Sequence, residues 1–152
     1  MGRAEISFAI CSLNPDRPDV VSIVSVIDGH PLARLVADFE KAHGYEPVGG
    51  YAGIVPSWFK YGPLEMYFLG ETDDGYWKQI GGVYVLGCEC GEVGCWPLQC
   101  CIRSEGDVVI WDRFQQPHRA ARDYSAFGPF VFDGEQYRAA VRDLVDKIST
   151  SG

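Results

Sequence analysis

Leu98-Gln-Cys-Cys-Ile-Arg-Ser-Glu-Gly-Asp-Val-Val-Ile-Trp111 decides the fold class. Two apolar segments, Leu98 to Arg103 and Val108 to Trp111, flank Glu105-Gly106, and a glycine there permits the positive φ of a tight hairpin turn. A turn at Glu105-Gly106 gives antiparallel partners whose numbers sum to 211, with Cys100 opposite Trp111. Further on, Asp133 stands where a helix cap belongs, and Gln136 follows three residues later as in a capping box. Tyr137, Val141, Leu144, Val145 and Ile148 then recur on one face of a C-terminal helix, while Arg138, Arg142, Asp143, Asp146 and Lys147 form its solvated side. Strand pairs followed by an amphipathic helix predict an α+β domain with a mainly antiparallel sheet.

The upstream half extends this pattern. Ile6, Phe8 and Ile10 alternate with smaller residues, Leu13-Asn-Pro-Asp-Arg-Pro-Asp19 breaks the run, and Val20 to Ile27 is rich in β-branched residues, which predicts a hairpin with a long turn. Leu32, Leu35, Val36 and Phe39 have helical spacing, so a helix is expected from Pro31 to His43, with Gly44 at its end. Tyr45 to Pro63 reads as a structured loop with a helical turn near Trp58. Leu64 to Leu69 and Val83 to Leu86 read as two strands separated by the polar turn Glu71 to Gly75. Without repeats or a linker, residues 1–152 read as a single domain with two principal helices.

Composition bounds the function. At 152 residues, 47% of them apolar, folding buries roughly 70% of the unfolded surface, enough for one core without staples. No apolar run reaches the roughly 18 residues of a membrane span, and the N-terminus lacks the pattern of a secretory signal, so the expected location is cytoplasmic. Thirteen basic against 21 acidic residues give a net charge of −8, which repels a phosphate backbone and argues against nucleic acid as a partner. The same charge suits a basic protein partner, although solubility accounts for it more simply. Gly49 to Gly53 lacks the Lys-Ser/Thr of a phosphate loop. Trp58, Phe59, Tyr61, Tyr67, Tyr76 and Trp77 fit core packing better than an exposed binding surface.

Chemistry concentrates in Gly87-Cys-Glu-Cys-Gly-Glu-Val-Gly-Cys-Trp-Pro-Leu98. A Cys-x-Cys-x4-Cys cluster with glycines at 87, 91 and 94 has the closeness and backbone freedom of a metal or redox knuckle. In the hairpin register above, the chain leaving the second strand returns beside the knuckle, and His118 reaches the level of Val93. Cys88, Cys90, Cys95 and His118 then form a candidate tetrahedral zinc set of three thiolates and one imidazole. Two readings stand beside it: reduced thiols buried in a tight turn, and a thiol enzyme or redox pair using Cys88 and Cys90 with His118 as base and Asp112 orienting the imidazole. Cys11, Cys100 and Cys101 lie in apolar settings and read as small buried hydrophobes.

Val85 to Leu98, with the pattern LGCxCGxxGCWPL, followed by Trp111, Phe114, Gln116-Pro-His-Arg119 and Phe127-Gly-Pro-Phe130, resembles a group of uncharacterised bacterial proteins. The resemblance spans the C-terminal third to half of the chain and implies one compact unit there. The residues favour a non-enzymatic protein-interaction module with a structural zinc knuckle, in an acidic inhibitor or immunity-like role.

Overall fold

The computed structural model describes residues 3–14, 16–57, 63–71, 81–90 and 95–151. Three helices and eight strands in two antiparallel sheets form the α+β architecture among these residues. The expected helical turn near Trp58, the turn beyond Glu71, and Trp58, Phe59, Tyr61, Tyr76 and Trp77 lie outside them.

The first sheet is a ribbon of β1 (Ile6–Asn14) and β2 (Arg17–Ile27), with β3 (His30–Pro31) added through a turn at Asp28 and Gly29, both at positive φ. Pairing runs from Ile6↔Ile27 through Ser12↔Val21 to Asn14↔Arg17, so the turn is short and not the long loop expected from the sequence. The polar residues that point to a loop, among them Asp16 and Asp19, sit on an exposed end of the ribbon. An antiparallel pair tolerates polar residues wherever it faces water. Pro31, extended at φ −58° and ψ 136°, precedes α1 (Leu32–Ala42), which buries Leu32, Val36 and Glu40.

The second sheet has the order β4 (Tyr51–Ala52), β5 (Val83–Cys88), β6 (Leu98–Glu105), β7 (Val108–Gln115) and β8 (Phe130–Asp133). Its central hairpin turns at Gly106-Asp107, one residue later than expected. Glu105 faces Val108 and Ile102 faces Trp111, so partner numbers sum to 213 and Cys100 is not opposite Trp111. Gly106, at φ +61°, occupies the first central position, where a type II′ turn requires glycine. At the far end the register slips between Gln99 and Cys101, and Arg113 takes φ +56°, the signature of a bulge.

Ile23 and Ile54 exchange two backbone hydrogen bonds, of 2.8 and 3.1 Å, that join the sheets. A Cβ on Gly53 would collide with the Ile23 carbonyl, so this approach requires glycine. A second link runs from the Ala4 N–H to the Val131 carbonyl at 2.7 Å.

Leu64–Phe68 is a helix, α2, where a strand was expected. Leu64, Tyr67 and Phe68 also fit i, i+3, i+4 spacing, and a short apolar run cannot distinguish the two periods. Tertiary bonds decide it: the Tyr67 hydroxyl donates to the Tyr84 carbonyl at 2.7 Å and accepts the Tyr84 N–H at 2.8 Å. The C-terminal helix, α3 (Gly134–Ser151), packs on β1, β7, β8 and α2. Asp133 caps it through the Gln136 N–H at 3.1 Å, as the sequence indicates. The Gln136 side chain instead turns to β1, accepting from the Ile6 N–H at 3.0 Å and donating to its carbonyl at 2.6 Å. Tyr137, Val141 and Leu144 are buried as expected, and the Tyr137 hydroxyl accepts from Trp111 Nε1 at 2.9 Å and donates to the Phe68 carbonyl. No helix among the described residues is long and apolar enough to cross a membrane.

Beneath the loops Glu40 has no exposed surface. Its Oε2 accepts from Tyr51 (2.7 Å), Tyr124 (2.5 Å) and Arg122 (3.0 Å), and its Oε1 accepts from the Gly49 N–H (2.8 Å). The Arg122 side chain, 6% exposed, also donates to the Pro47 carbonyl at 2.8 Å. Burial and the bond to Glu40 push the Tyr51 hydroxyl well above the ordinary phenol range. Removing one partner of such a pair strands the other charge in a low dielectric. Glu40→Ala is therefore expected to lower the unfolding free energy by about 3–5 kcal/mol, and Tyr51→Phe by about 1 kcal/mol. Urea unfolding measures both, and a Glu40→Ala loss no larger than that of Tyr51→Phe would contradict the clamp.

Candidate metal centre

The knuckle is the connection between β5 and β6. Leu86 pairs with Leu98, and beyond that pair the chain leaves the sheet at Cys88 and re-enters it at Leu98. Cys88 is fixed from the side by β4, where Tyr51 faces Cys88 and Ala52 faces Gly87. The Glu89 N–H donates to the Gly50 carbonyl at 3.2 Å, and the Cys90 N–H donates to Cys88 Sγ at 3.5 Å. Trp96 anchors the returning arm by donating from Nε1 to the Gly49 carbonyl at 2.8 Å.

These constraints gather Cys88, Cys90 and Cys95 into a group whose sulfurs all lie within 4.8 Å of one another. Tetrahedral zinc with Zn–S bonds of about 2.3 Å places its sulfurs about 3.8 Å apart. The three thiols are thus within about 1 Å of the spacing that a metal ion demands. Cys88 is half-buried, while Cys90 and Cys95 are exposed, where the buried-thiol reading expects all three to be enclosed. Burial pushes the Cys88 thiol up to about 12, and contact with the other two cysteines adds to the shift.

His118 is not in this group. It lies in a 3-10 turn, Pro117–Arg119, where its N–H donates to Gln116 Oε1 at 2.9 Å and its side chain is exposed. Val93, its expected neighbour, lies outside the described residues; the chain leaves the sheet at Gln115 and the Gln116 cap bends it into this turn, so strand register does not carry on to His118. Its neighbours reach the knuckle instead. Arg119 lies over the Trp96 ring at 5.0 Å, Arg122 lies over it at 5.7 Å, and Gln116 donates to the Tyr51 hydroxyl at 3.2 Å.

Asp112, considered above as an orienting carboxylate, faces Cys101 across the hairpin and pairs with Arg103 at 3.0 Å. Cys100 is buried as expected, with its thiol pushed up by that burial, but Cys101 is only half-buried and Cys11 is exposed near the end of β1. The Glu40 cluster escaped notice in the sequence. Its signal was a carboxylate at the next i+4 step of the stripe Leu32, Val36, Glu40, where an apolar residue would ordinarily stand.

Reactivity separates the thiols. A raised pKa keeps Cys88 protonated until the pH approaches that value, and only the thiolate attacks. With metal-free protein at about pH 8, iodoacetamide should modify the exposed Cys90 and Cys95 before the half-buried Cys88, with Cys88 catching up as pH rises. Peptide mass spectrometry reads the order, and equal rates at the three positions would contradict this geometry. Compared with known protein families, curated proteins and solved structures, the chain has no significant match.

Proposed function

We propose that this chain is a non-enzymatic protein-interaction module whose knuckle holds a structural zinc ion on Cys88, Cys90 and Cys95. The observation that carries the reading is the convergence of three sulfurs within 4.8 Å on a short connection between paired strands. Three soft donors favour zinc among divalent ions of ordinary abundance, and binding replaces three thiol protons with one cation. The ion would tie the β5–β6 connection to the loop carrying Gly49 and Tyr51, because Trp96 and Cys88 already contact that loop. The net charge of −8 favours a basic surface on the partner, and a reducing cytoplasm would keep the thiols available.

The thiol-enzyme reading has less support. A neutral Cys88 is a poor nucleophile, His118 is outside the sulfur group, and Asp112 is bonded to Arg103.

Elemental analysis of untagged protein tests the metal. The expected result is about one zinc per chain, lost in Cys88→Ala, Cys90→Ala and Cys95→Ala and retained in His118→Ala, together with a lower thermal midpoint after chelation. Zinc should also dissociate as pH falls, since protons compete for the thiolates. Metal-free native protein that takes up no added zinc would overturn the proposal.

A further inference from the structure

We infer that Cys90 and Cys95 are an oxidation site, which a hydroperoxide converts to a disulfide. The three knuckle sulfurs lie within 4.8 Å of one another, so turning two side chains brings a pair to the bond length of about 2.05 Å. Exposure selects which pair. Cys90 and Cys95 are exposed, whereas Cys88 is half-buried and its backbone pairs with Tyr51 in the sheet. A bond from Cys88 to Cys90 would also have to close through Glu89 alone, whose N–H is held by the Gly50 carbonyl at 3.2 Å.

The surroundings narrow the oxidant. Cys90 lines a cleft of about 560 Å³ between the β1–β2 ribbon and the second sheet, and Glu89 and Asp16 line it as well. With the net charge of −8, these carboxylates repel anionic oxidants, and hydrogen peroxide, small and uncharged, escapes that repulsion. Cys11 is exposed and shares the cleft, but it stands outside the group of three sulfurs.

Peroxide transfers one oxygen to the first sulfur: an S–O bond forms as the O–O bond breaks, and the displaced hydroxide takes up a proton to become water. The second sulfur then attacks the sulfenic sulfur, forming the S–S bond and breaking the S–O bond, and the second hydroxide leaves as water with another proton. The two sulfurs lose two electrons and the peroxide gains them. Both protons come from the thiols in metal-free protein, and from solvent when the thiolates hold zinc. Resting on the zinc reading, the consequence is release of the ion, because Cys88 alone remains as a ligand. The tie between the β5–β6 connection and the loop carrying Gly49 and Tyr51 is then lost, so peroxide and metal act on one connection in opposite senses.

Limiting hydrogen peroxide added to the metal-free and the zinc-loaded full chain, followed by peptide mass spectrometry without reduction, tests this. Metal-free protein should lose the mass of two hydrogens per chain, in a bond joining Cys90 to Cys95 within one chain, and Cys88→Ala and Cys11→Ala should form the same bond. Zinc-loaded protein should release its ion to a colorimetric chelator in step with that bond, and dithiothreitol followed by fresh zinc should restore the metal. A bond to Cys88 or Cys11, a bond between chains, loss of the bond in either variant, or sulfinic acid alone would overturn the pair. A disulfide that leaves the zinc in place would overturn the release. A chain that forms the Cys90–Cys95 bond but takes up no zinc before oxidation supports the pair and overturns the zinc reading, a distinct result.

Discussion

A carboxylate with no exposed surface has to be neutralised where it lies, and the loops of this protein are arranged around that requirement at Glu40. Four donors from two segments converge on it: the Gly49 N–H and Tyr51 hydroxyl from one, the Arg122 guanidinium and Tyr124 hydroxyl from the other. Helix α1 supplies the acceptor, so a single side chain holds the 45–51 and 116–124 loops against the same helix. Each donor offsets part of the cost of removing the charge from water, and losing any one leaves the rest undercompensated. That mutual dependence fixes two otherwise irregular stretches of chain.

The cysteine knuckle inherits its position from this clamp. Tyr51 bonds to Glu40 through its hydroxyl and pairs with Cys88 through its backbone, so the buried cluster and the first thiol share one residue. Trp96, next to Cys95, bonds to the Gly49 carbonyl beside the Gly49 N–H that Glu40 accepts, and its ring lies under Arg122. Both arms of the knuckle are therefore referred to the same buried carboxylate. This accounts for three exposed or half-exposed thiols staying gathered on a short, glycine-rich connection without a packed core of their own.

Much of the architecture was legible locally. The capped C-terminal helix, the first helix, the two hairpins and Val83 to Leu86 follow from apolar periodicity and turn residues, and the three clustered cysteines follow from spacing alone. Leu64–Phe68 was misread because five residues satisfy either period, and hydrogen bonds from Tyr67 to a distant strand chose the helix. The hairpin turn was placed one residue early because a lone glycine marks a turn without saying which of its positions it occupies. The expected register also ran past the end of the strand at Gln115, where the chain bends into the 3-10 turn that carries His118.

The sequence by itself determined the α+β class, the elements with strong periodicity, and the trio Cys88, Cys90 and Cys95, because each rests on residues close together along the chain. Tertiary structure alone decided the burial of Glu40, its pairing with Arg122 and the two tyrosines, the reach of Gln136 to β1, the 3-10 turn in which His118 is exposed, and the cleft beside Cys90. Those features depend on which distant groups arrive at a site, and on the cost of a buried charge that only the assembled loops can offset. Neither quantity is written in the spacing of residues along the chain.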